Sequence, residues 1–521
     1  MTVSVLGQGR TSAALFWLGV VAISLGVAFH LPDFIAAKPM GYRMAGMPMS
    51  PLMLWGMALI LVGLPCAAVG LLPRSRADSA AGSLRPVVVW RADSALTPRH
   101  WILIAVLSLA MVIDIMKPSL LGFVVPGVGR EYGLAKPTLT LLPLVALTGT
   151  AVGSLLWGLI ADLIGRRAAI LLAAIIFIGT SICGAMPSFA WNLAMCFIMG
   201  LCAGGMLPVA LTLIAETVPP AHRGWLLVLL GGVGAFGGYL AASGSAALLE
   251  PHFGWRILWF TGMPTGVLLI VLNRLIPESP GYLVLSNRLA EAAATAQRFG
   301  GALALEAQAA TAPKRRQRES GRLLPSVAMT FAGVVSGLVN YGFILWLPAE
   351  MRKAGASAGA TDGLLLAASL LTLPTAVLAA WAYRKFGGRV LLFVLLATLA
   401  AGFAALGLSG PWSPGGDLRF IAVVSIVMIG NGGAAAVLLP YAIEYYPLAM
   451  RGRGAGLVAG GTKGGGIAAQ ALSIGGLAPT SAALAVPAAA AALAILSIAH
   501  RQPGARGDHA MVGSAPPFES A

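Results

Sequence analysis

Charged side chains are scarce in this sequence: only 10% of its residues are Asp, Glu, Lys or Arg, where ordinary soluble domains carry about a quarter. Cysteine is scarcer still. Cys66, Cys183, Cys196 and Cys202 all fall in apolar stretches without metal-ligand spacing, so neither a disulfide framework nor a metal site is expected. A nucleotide-binding glycine loop, a zinc-ligand pattern and a nucleophile elbow in a suitable context are also missing. Nothing therefore points to an enzyme, and no cofactor is expected. The first apolar run lacks a small-residue cleavage site and is long enough to remain in a membrane.

Apolar length is what the chain has in abundance. Hydrophobic residues make up 58% of it and the mean hydropathy is +0.86. Runs of roughly 20 residues, the length that crosses a bilayer as a helix, recur throughout. A soluble core cannot use so much apolar surface. Membrane barrel strands would be about 10 residues of alternating polarity, whereas these runs are continuous and rich in Leu, Ala and Gly. The expected class is an all-α membrane protein. Spans are read near 12–35, 51–72, 101–125, 138–162, 168–187, 191–215, 225–249, 256–276, 323–347, 363–383, 390–410, 418–442, 453–476 and 479–499.

The formal charge of +16 is mainly a topology signal rather than a nucleic-acid surface. With both termini in the cytoplasm, most Lys and Arg fall on cytoplasmic segments, as the positive-inside rule requires. Lys117 and Lys463 remain inside spans. The expected location is a prokaryotic cytoplasmic membrane, with the lipid bilayer as the principal partner and a monomer as the working unit.

The fourteen spans fall into blocks. Residues 1–99 hold a two-helix hairpin and a polar linker, 100–276 six spans, 277–322 a polar cytoplasmic segment, 323–500 six more spans, and 501–521 a polar tail read as disordered. The 277–322 segment contains the cluster Lys314-Arg315-Arg316-Gln317-Arg318 and is expected to carry a short amphipathic helix. The six-span blocks are repeats. Glu216-Thr-Val-Pro-Pro-Ala-His-Arg223-Gly and Glu444-Tyr-Tyr-Pro-Leu-Ala-Met-Arg451-Gly share Glu, Pro, Ala, Arg and Gly at one spacing, and Gly237-Gly238 corresponds to Gly465-Gly466. Repeated halves with a site between them are the plan of secondary transporters.

Between the second and third spans of the first block stands Gly158-Leu-Ile-Ala-Asp162-Leu-Ile-Gly165-Arg166-Arg167. With the repeated Glu-x-x-Pro-x-x-x-Arg-Gly and Pro277-Glu-Ser-Pro280 after the sixth span, it resembles the major facilitator superfamily, in its metabolite:proton symporter and sugar-porter branch. The resemblance covers about residues 100–500 and implies two six-helix bundles, here with an added N-terminal hairpin and fourteen spans in all. Gly158 is expected to let helices approach and Gly165 to permit a tight turn. The resemblance implies that Asp162, Arg166 and Arg167, with Glu216 and Arg223, latch the halves; the alternative is that the arginines only set topology. A degenerate second copy runs Tyr383-Arg384-Lys385-Phe386-Gly387-Gly388-Arg389, with Glu444 and Arg451 retained.

Asp114-Ile-Met-Lys117-Pro118 sits inside an otherwise apolar span. Ionisable groups at that depth cost about 3 kcal/mol each, so they face a cavity or each other. Three residues apart, Asp114 and Lys117 share a helix face, and Pro118 removes the helical bond to the Asp114 carbonyl. The comparable stretch of aromatic-acid proton symporters has two Asp three apart; here Lys117 replaces the second. Asp114 is read as a proton carrier, with Lys117 as its counter-ion or as a ligand for a substrate carboxylate. The competing reading is a pair that neutralises itself for insertion. Lys463, in Gly460-Gly-Thr-Lys463-Gly-Gly-Gly, has Ala235 as its repeat partner, so the symmetric scaffold does not require it. Lys117 and Lys463 together would suit an anion, unless Lys463 snorkels to an interface. Asn340, Tyr341 and Asn431 are further substrate-binding candidates, with helix–helix glue as the alternative.

The fifth span, Gly231-Gly-Val-Gly-Ala-Phe-Gly-Gly238, lacks the Gly-Pro pair typical of drug antiporters, which favours symport. Met40, Met44, Met47 and Met49 in the hairpin loop form a set that could suit Cu(I), but an interfacial loop of flexible apolar side chains is the preferred reading. The function expected is import of a small organic, anionic solute such as a carboxylate or aromatic acid, together with protons, by alternating access. The alternatives are a proton-antiporting exporter of drugs or metabolites and a non-transporting receptor on the same scaffold.

Overall fold

The computed structural model describes residues 10–72, 84–90, 94–307, 323–409, 417–446, 451–476 and 481–498. The basic cluster 314–318 and the tail 501–521 lie outside them. In order, the elements are α1 (Arg10–Ala28), α2 (Leu31–Ala36), α3 (Pro51–Leu71), β1 (Leu84–Trp90), α4 (Pro98–Tyr132), α5 (Lys136–Leu139), α6 (Leu141–Ile164), α7 (Arg166–Gly179), α8 (Phe189–Thr217), α9 (Pro220–Phe253), α10 (Ile257–Phe260) and α11 (Gly262–Leu272). There follow α12 (Pro280–Leu285), α13 (Leu289–Arg298), β2 (Gly301–Ala307), α14 (Leu323–Val339), α15 (Leu347–Lys353), α16 (Ala358–Thr372), α17 (Thr375–Phe386), α18 (Gly388–Ser409), α19 (Asp417–Tyr445), α20 (Arg451–Ile474) and α21 (Ser481–Leu496). Twelve of the described helices, some built from two consecutive elements, are long and apolar enough to cross a membrane. α20 is helical over 24 residues and α21 is an apolar helix of 16.

Internal symmetry is visible in the pairings. α4 packs on α9 as α14 packs on α20, the first span with the fifth in each block. α7 packs on α11 as α18 packs on α21, the third with the sixth. Small residues make such approaches possible: a Cβ on Gly153 would stand 2.1 Å from Leu201 O, and one on Gly337 2.0 Å from Thr462 O. The halves meet where α9 lies against α16, α17 and α19, with Gly232 on Ala376 and Gly231 on Ala436.

The N-terminal helices form a tight pair. A Cβ on Gly19 would fall 2.5 Å from Gly63 O, and one on Gly26 2.6 Å from Gly56 O. α1 and α3 both rest on α7. The Met loop is anchored at Met44, which is buried and whose N–H, with that of Ala45, donates to Glu131 Oε1 at 2.8 and 2.9 Å, while Met40 is exposed. Phe34 stacks on Tyr42, which meets Phe253. Met44 is thus a core residue.

One feature departs from the all-α expectation. β1 and β2 form an antiparallel pair running from Leu84↔Ala307 to Trp90↔Gly301, tying the linker before α4 to the segment after α13. The expected amphipathic helix is α13, with Ala292 and Ala296 buried and Glu291 among its exposed residues.

Candidate functional site

α4 runs unbroken as helix through Pro118 and Pro126. Asp114 is 2% exposed and Lys117 fully buried. They do not pair. Lys117 Nζ donates to Phe177 O at 2.5 Å and Thr180 Oγ1 at 2.7 Å, and stands 4.1 Å from the centroid of the Phe177 ring. Gly262 makes room for its ammonium, since a Cβ there would lie 2.5 Å from Nζ. All these partners belong to the first half, so Lys117 turns into its own bundle. The expected convergence of Lys117 with Lys463 is not what the structure has. Three residues on a helix differ by about 60° in azimuth, enough to send one side chain to the interface and the other between α7 and α11.

The cation whose field acts on Asp114 is Lys463 of the other half. Lys463 is partly buried on α20. Among the described residues no ion pair joins them, and Asp114 Oδ1 has no hydrogen-bond partner. Nearby, a small cavity between the halves is lined by Pro118 and Leu121 of α4, Ala146, Leu147 and Thr150 of α6, and Tyr341 and Leu345.

Asn340 and Tyr341 begin a π-helical turn, Asn340–Ile344, between α14 and α15. Such turns interrupt the normal bonding ladder and concentrate at functional positions. Gln470 of α20 pins it, donating to Tyr341 O at 2.6 Å and accepting from Trp346 Nε1 at 3.2 Å. Asn431 is buried, and its Oδ1 accepts from Ser336 Oγ at 3.0 Å. That bond joins α19 to α14.

At the end carrying the 158–167 loop, Arg166 NH2 lies 3.1 Å from Asp162 Oδ1 and 3.2 Å from Glu216 Oε1. Its NH1 donates to Ala161 O. Gly165 has φ +98°, a conformation that favours glycine. Gly158 differs from expectation: a Cβ there would meet nothing within 4 Å, because the residue lies on the exposed side of α6. The close approaches fall at Gly149 and Gly153 instead. Arg223 Nε donates to Val218 O at 2.9 Å. Arg167 contributes its backbone N–H, which joins that of Arg166 on Glu278 Oε1. Glu278 thus caps α7, where the helix dipole favours an anion; burial nonetheless pushes its carboxyl above the usual range, opposed by the N–H groups of Ser279, Arg167 and Arg166.

In the second half Tyr383 OH donates to Glu444 Oε2 at 2.6 Å. Glu444 also abuts the first half, since a Cβ on Gly224 would fall 2.1 Å from its Oε1. The degenerate loop thus keeps a polar bond with a tyrosine where the first half uses Asp162 and Arg166. Arg451 opens α20, and its side chain lies outside the described residues.

Sequence reasoning missed Glu278, Gln470 and two buried ionic groups at the opposite end. Glu131 accepts from Arg256 at 2.7 Å, within bonds to Trp255, Met44 and Ala45. Arg352 pairs with Glu250 at 2.7 Å and with Asp362 at 2.9 Å. Glu131, Glu250 and Arg352 sit in the last turns of spans that run several residues longer than their apolar cores.

The arrangement of two pseudo-symmetric six-helix units around a polar centre is that of a secondary transporter. Residues 107–470 match the family model of the Major Facilitator Superfamily, and the chain belongs to that superfamily. It is a multi-pass membrane transporter, not an enzyme. It is 30% identical to a niacin transporter of Acinetobacter baylyi over 71% of this chain and 85% of the relative. It is 28% identical to a 4-hydroxybenzoate transporter of Pseudomonas aeruginosa over 77% of this chain and 93% of the relative. The fold also matches the xylose transporter of E. coli in a partially occluded inward-open conformation, with a TM-score of 0.60 at 16% identity, covering 78% of this chain and 98% of that one.

Proposed function

We propose that this transporter is a proton-coupled symporter that imports a small aromatic or other organic carboxylate by alternating access. The observation that carries the reading is Asp114: a buried carboxylate with one unpartnered oxygen, in the field of a lysine from the other half. Carboxylates inside membrane spans mark proton relays in pumps and transporters, binding a proton in one step of the cycle and releasing it in another. When Asp114 binds its proton, Lys463 loses its counter-charge and becomes free for a substrate carboxylate, so proton and anion bind together rather than in competition. Relatives named for niacin, 4-hydroxybenzoate and gallate support the substrate class, since all three are small aromatic carboxylates.

Tyr341 and Asn340, on a π-turn beside the interface cavity, shape the substrate site. Lys117 and Asn431 support it from within the helix bundle. Gly165, Asp162, Arg166, Arg167, Glu216 and Arg223, with Glu444 and Arg451 in the second half, form the cytoplasmic latch. The topology is fourteen spans with both termini in the cytoplasm: a 1–99 hairpin and linker, bundles at 100–276 and 323–500, a 277–322 cytoplasmic segment and a 501–521 tail, working as a monomer. The helical extent of α20 and α21 and the close α1–α3 pairing support this count.

In proteoliposomes with an inward pH gradient, the wild type should accumulate labelled niacin or 4-hydroxybenzoate. Asp114→Asn should abolish accumulation, bringing the internal-to-external ratio to about 1 while solute exchange persists. Gradient-driven accumulation at the wild-type level by a correctly inserted Asp114→Asn protein would overturn the assignment.

A further inference from the structure

At the end of the bundle opposite the 158–167 loop, three ionisable side chains meet where the halves touch. Arg352, at the tip of α15 in the second half, reaches Glu250 at the tip of α9 in the first. NH1 lies 2.7 Å from Oε1 and NH2 3.0 Å from Oε2, a two-pronged pairing. The same NH2 donates to Asp362 Oδ1 at 2.9 Å, from the start of α16. Side-chain exposures are 9% for Arg352, 5% for Glu250 and 0% for Asp362. This is a sealed contact. A second cross-half ion pair at that end, Lys136–Glu350, is 40% and 48% exposed and is worth little by comparison.

The charges do not balance. One guanidinium serves two carboxylates, and Asp362 Oδ2 has no hydrogen-bond partner. The ionisable groups set around Asp362 are Glu250 and Tyr239 from α9 and Arg352 from α15. Tyr239 is uncharged and its hydroxyl is also unpartnered; Thr361 beside Asp362 has an unpartnered hydroxyl too. With both carboxylates ionised, the closed contact buries a surplus negative charge, which is strongly unfavourable. Opening relieves it: Glu250 leaves with the first half into water, and Arg352 stays paired with Asp362. A proton relieves it as well, without opening.

We propose that Glu250, Arg352 and Asp362 form the exterior gate, and that a proton held by the two carboxylates is what shuts it. The inference rests on the orientation and proton coupling proposed above, but assigns them a second proton-binding site apart from Asp114. The direction follows from linkage. The closed gate binds one proton more than the open gate, so lowering the external pH drives closure, and the open-to-closed ratio changes by at most about tenfold per pH unit. A proton arriving from outside thereby closes the door behind the solute, the sequence that import requires.

The test is a distance measurement across the gate in the full-length protein in lipid. Spin labels are placed on cysteines at the exposed positions Arg130, at the end of α4, and Gly359, in α16, with Cys66→Ser removing the partly exposed native thiol. Between about pH 8.5 and about pH 5.5, the wild type should pass from a distribution with a substantial long-distance population to one dominated by the short distance. Asp362→Asn, a permanent mimic of the protonated acid, should stay short at both pH values. Arg352→Gln, which strands two carboxylates, should favour the long distance at high pH. If Arg352→Gln does not insert, the Asp362→Asn comparison decides alone. A wild-type distribution that ignores pH, or an Asp362→Asn protein with the full wild-type response, would overturn the proposal. Asp114→Asn is measured in parallel: lost accumulation with the distance response retained separates the two proton sites, whereas loss of the distance response in Asp114→Asn but not in Asp362→Asn assigns the gate's pH dependence to Asp114.

Discussion

Lys117 and Lys463 show how far residue type and spacing can carry a reading. Both are lysines in apolar spans, and the cost of burying either is the same in kind. The structure separates them by what surrounds the ammonium. Lys117 is held by a carbonyl, a hydroxyl and an aromatic face inside one bundle, while Lys463 stands on the second half as the cation acting on Asp114. Which way a side chain leaves its helix depends on packing partners distant in sequence, and no local pattern encodes them. Lys463→Met should therefore raise the KM for carboxylate uptake by about tenfold or more, the loss of one charge-assisted contact, with little change in thermal stability. Lys117→Met should do the reverse, lowering the melting temperature while leaving KM within about threefold, because the contacts it removes are structural. Initial-rate uptake and thermal unfolding of the two purified variants check this. Equal KM effects would mean that Lys117 also reaches the solute.

At the scale of elements, the helices were legible because runs of roughly 20 apolar residues leave few other structures open in lipid. Their ends were not. α9 runs to Phe253 and the seventh span to Lys353, beyond the apolar cores expected to end near 249 and 347, and those extra turns carry Glu250 and Arg352 into a buried contact. The β1–β2 pair was invisible for another reason: its strands are two hundred residues apart, one holds Pro86 and the other has no β-branched residue. Pro277-Glu-Ser-Pro280 was recognisable as a motif, but not as the N-terminal cap of α7. That role makes a pH prediction. Burial raises the Glu278 carboxyl above its ordinary range, so the folded state holds its proton more tightly than the unfolded chain does. Stability from this group is then fully present below about pH 4.5 and is lost as pH rises through the raised value. Glu278→Gln cannot titrate and still offers an acceptor to the N–H groups of Arg166 and Arg167. Its melting temperature should depend less on pH than the wild type's over that interval, and parallel pH profiles would show that Glu278 makes no contribution.

On the scale of the whole molecule, the question is what moves with what. The repeat was readable in sequence because Glu216–Gly224 and Glu444–Gly452 keep one register, and the pairings of first span with fifth and third with sixth agree with it. The place of the N-terminal hairpin was not readable, since nothing in residues 1–99 repeats elsewhere. Packing supplies it: α1 and α3 rest on α7, the Met loop donates two backbone N–H groups to Glu131, and Arg256 locks that carboxylate from the other side. Every one of these partners lies in the first half, so the hairpin should travel with that half as one body. By contrast α9 lies against the second half through Gly232 and Ala376, where an added Cβ would be 3.2 Å from the Ala376 Cβ, so the neighbouring helix need give only a few tenths of an ångström to reach the separation a disulfide spans. Two engineered cross-links then have opposite consequences. Ile60→Cys with Gly179→Cys joins hairpin to first half and should leave uptake within about twofold of the uncross-linked protein. Gly232→Cys with Ala376→Cys joins the two halves and should abolish uptake until dithiothreitol restores it. Inhibition by the first cross-link would mean that the hairpin slides against α7 during the cycle and is part of the moving machinery rather than a fixed extension of one half.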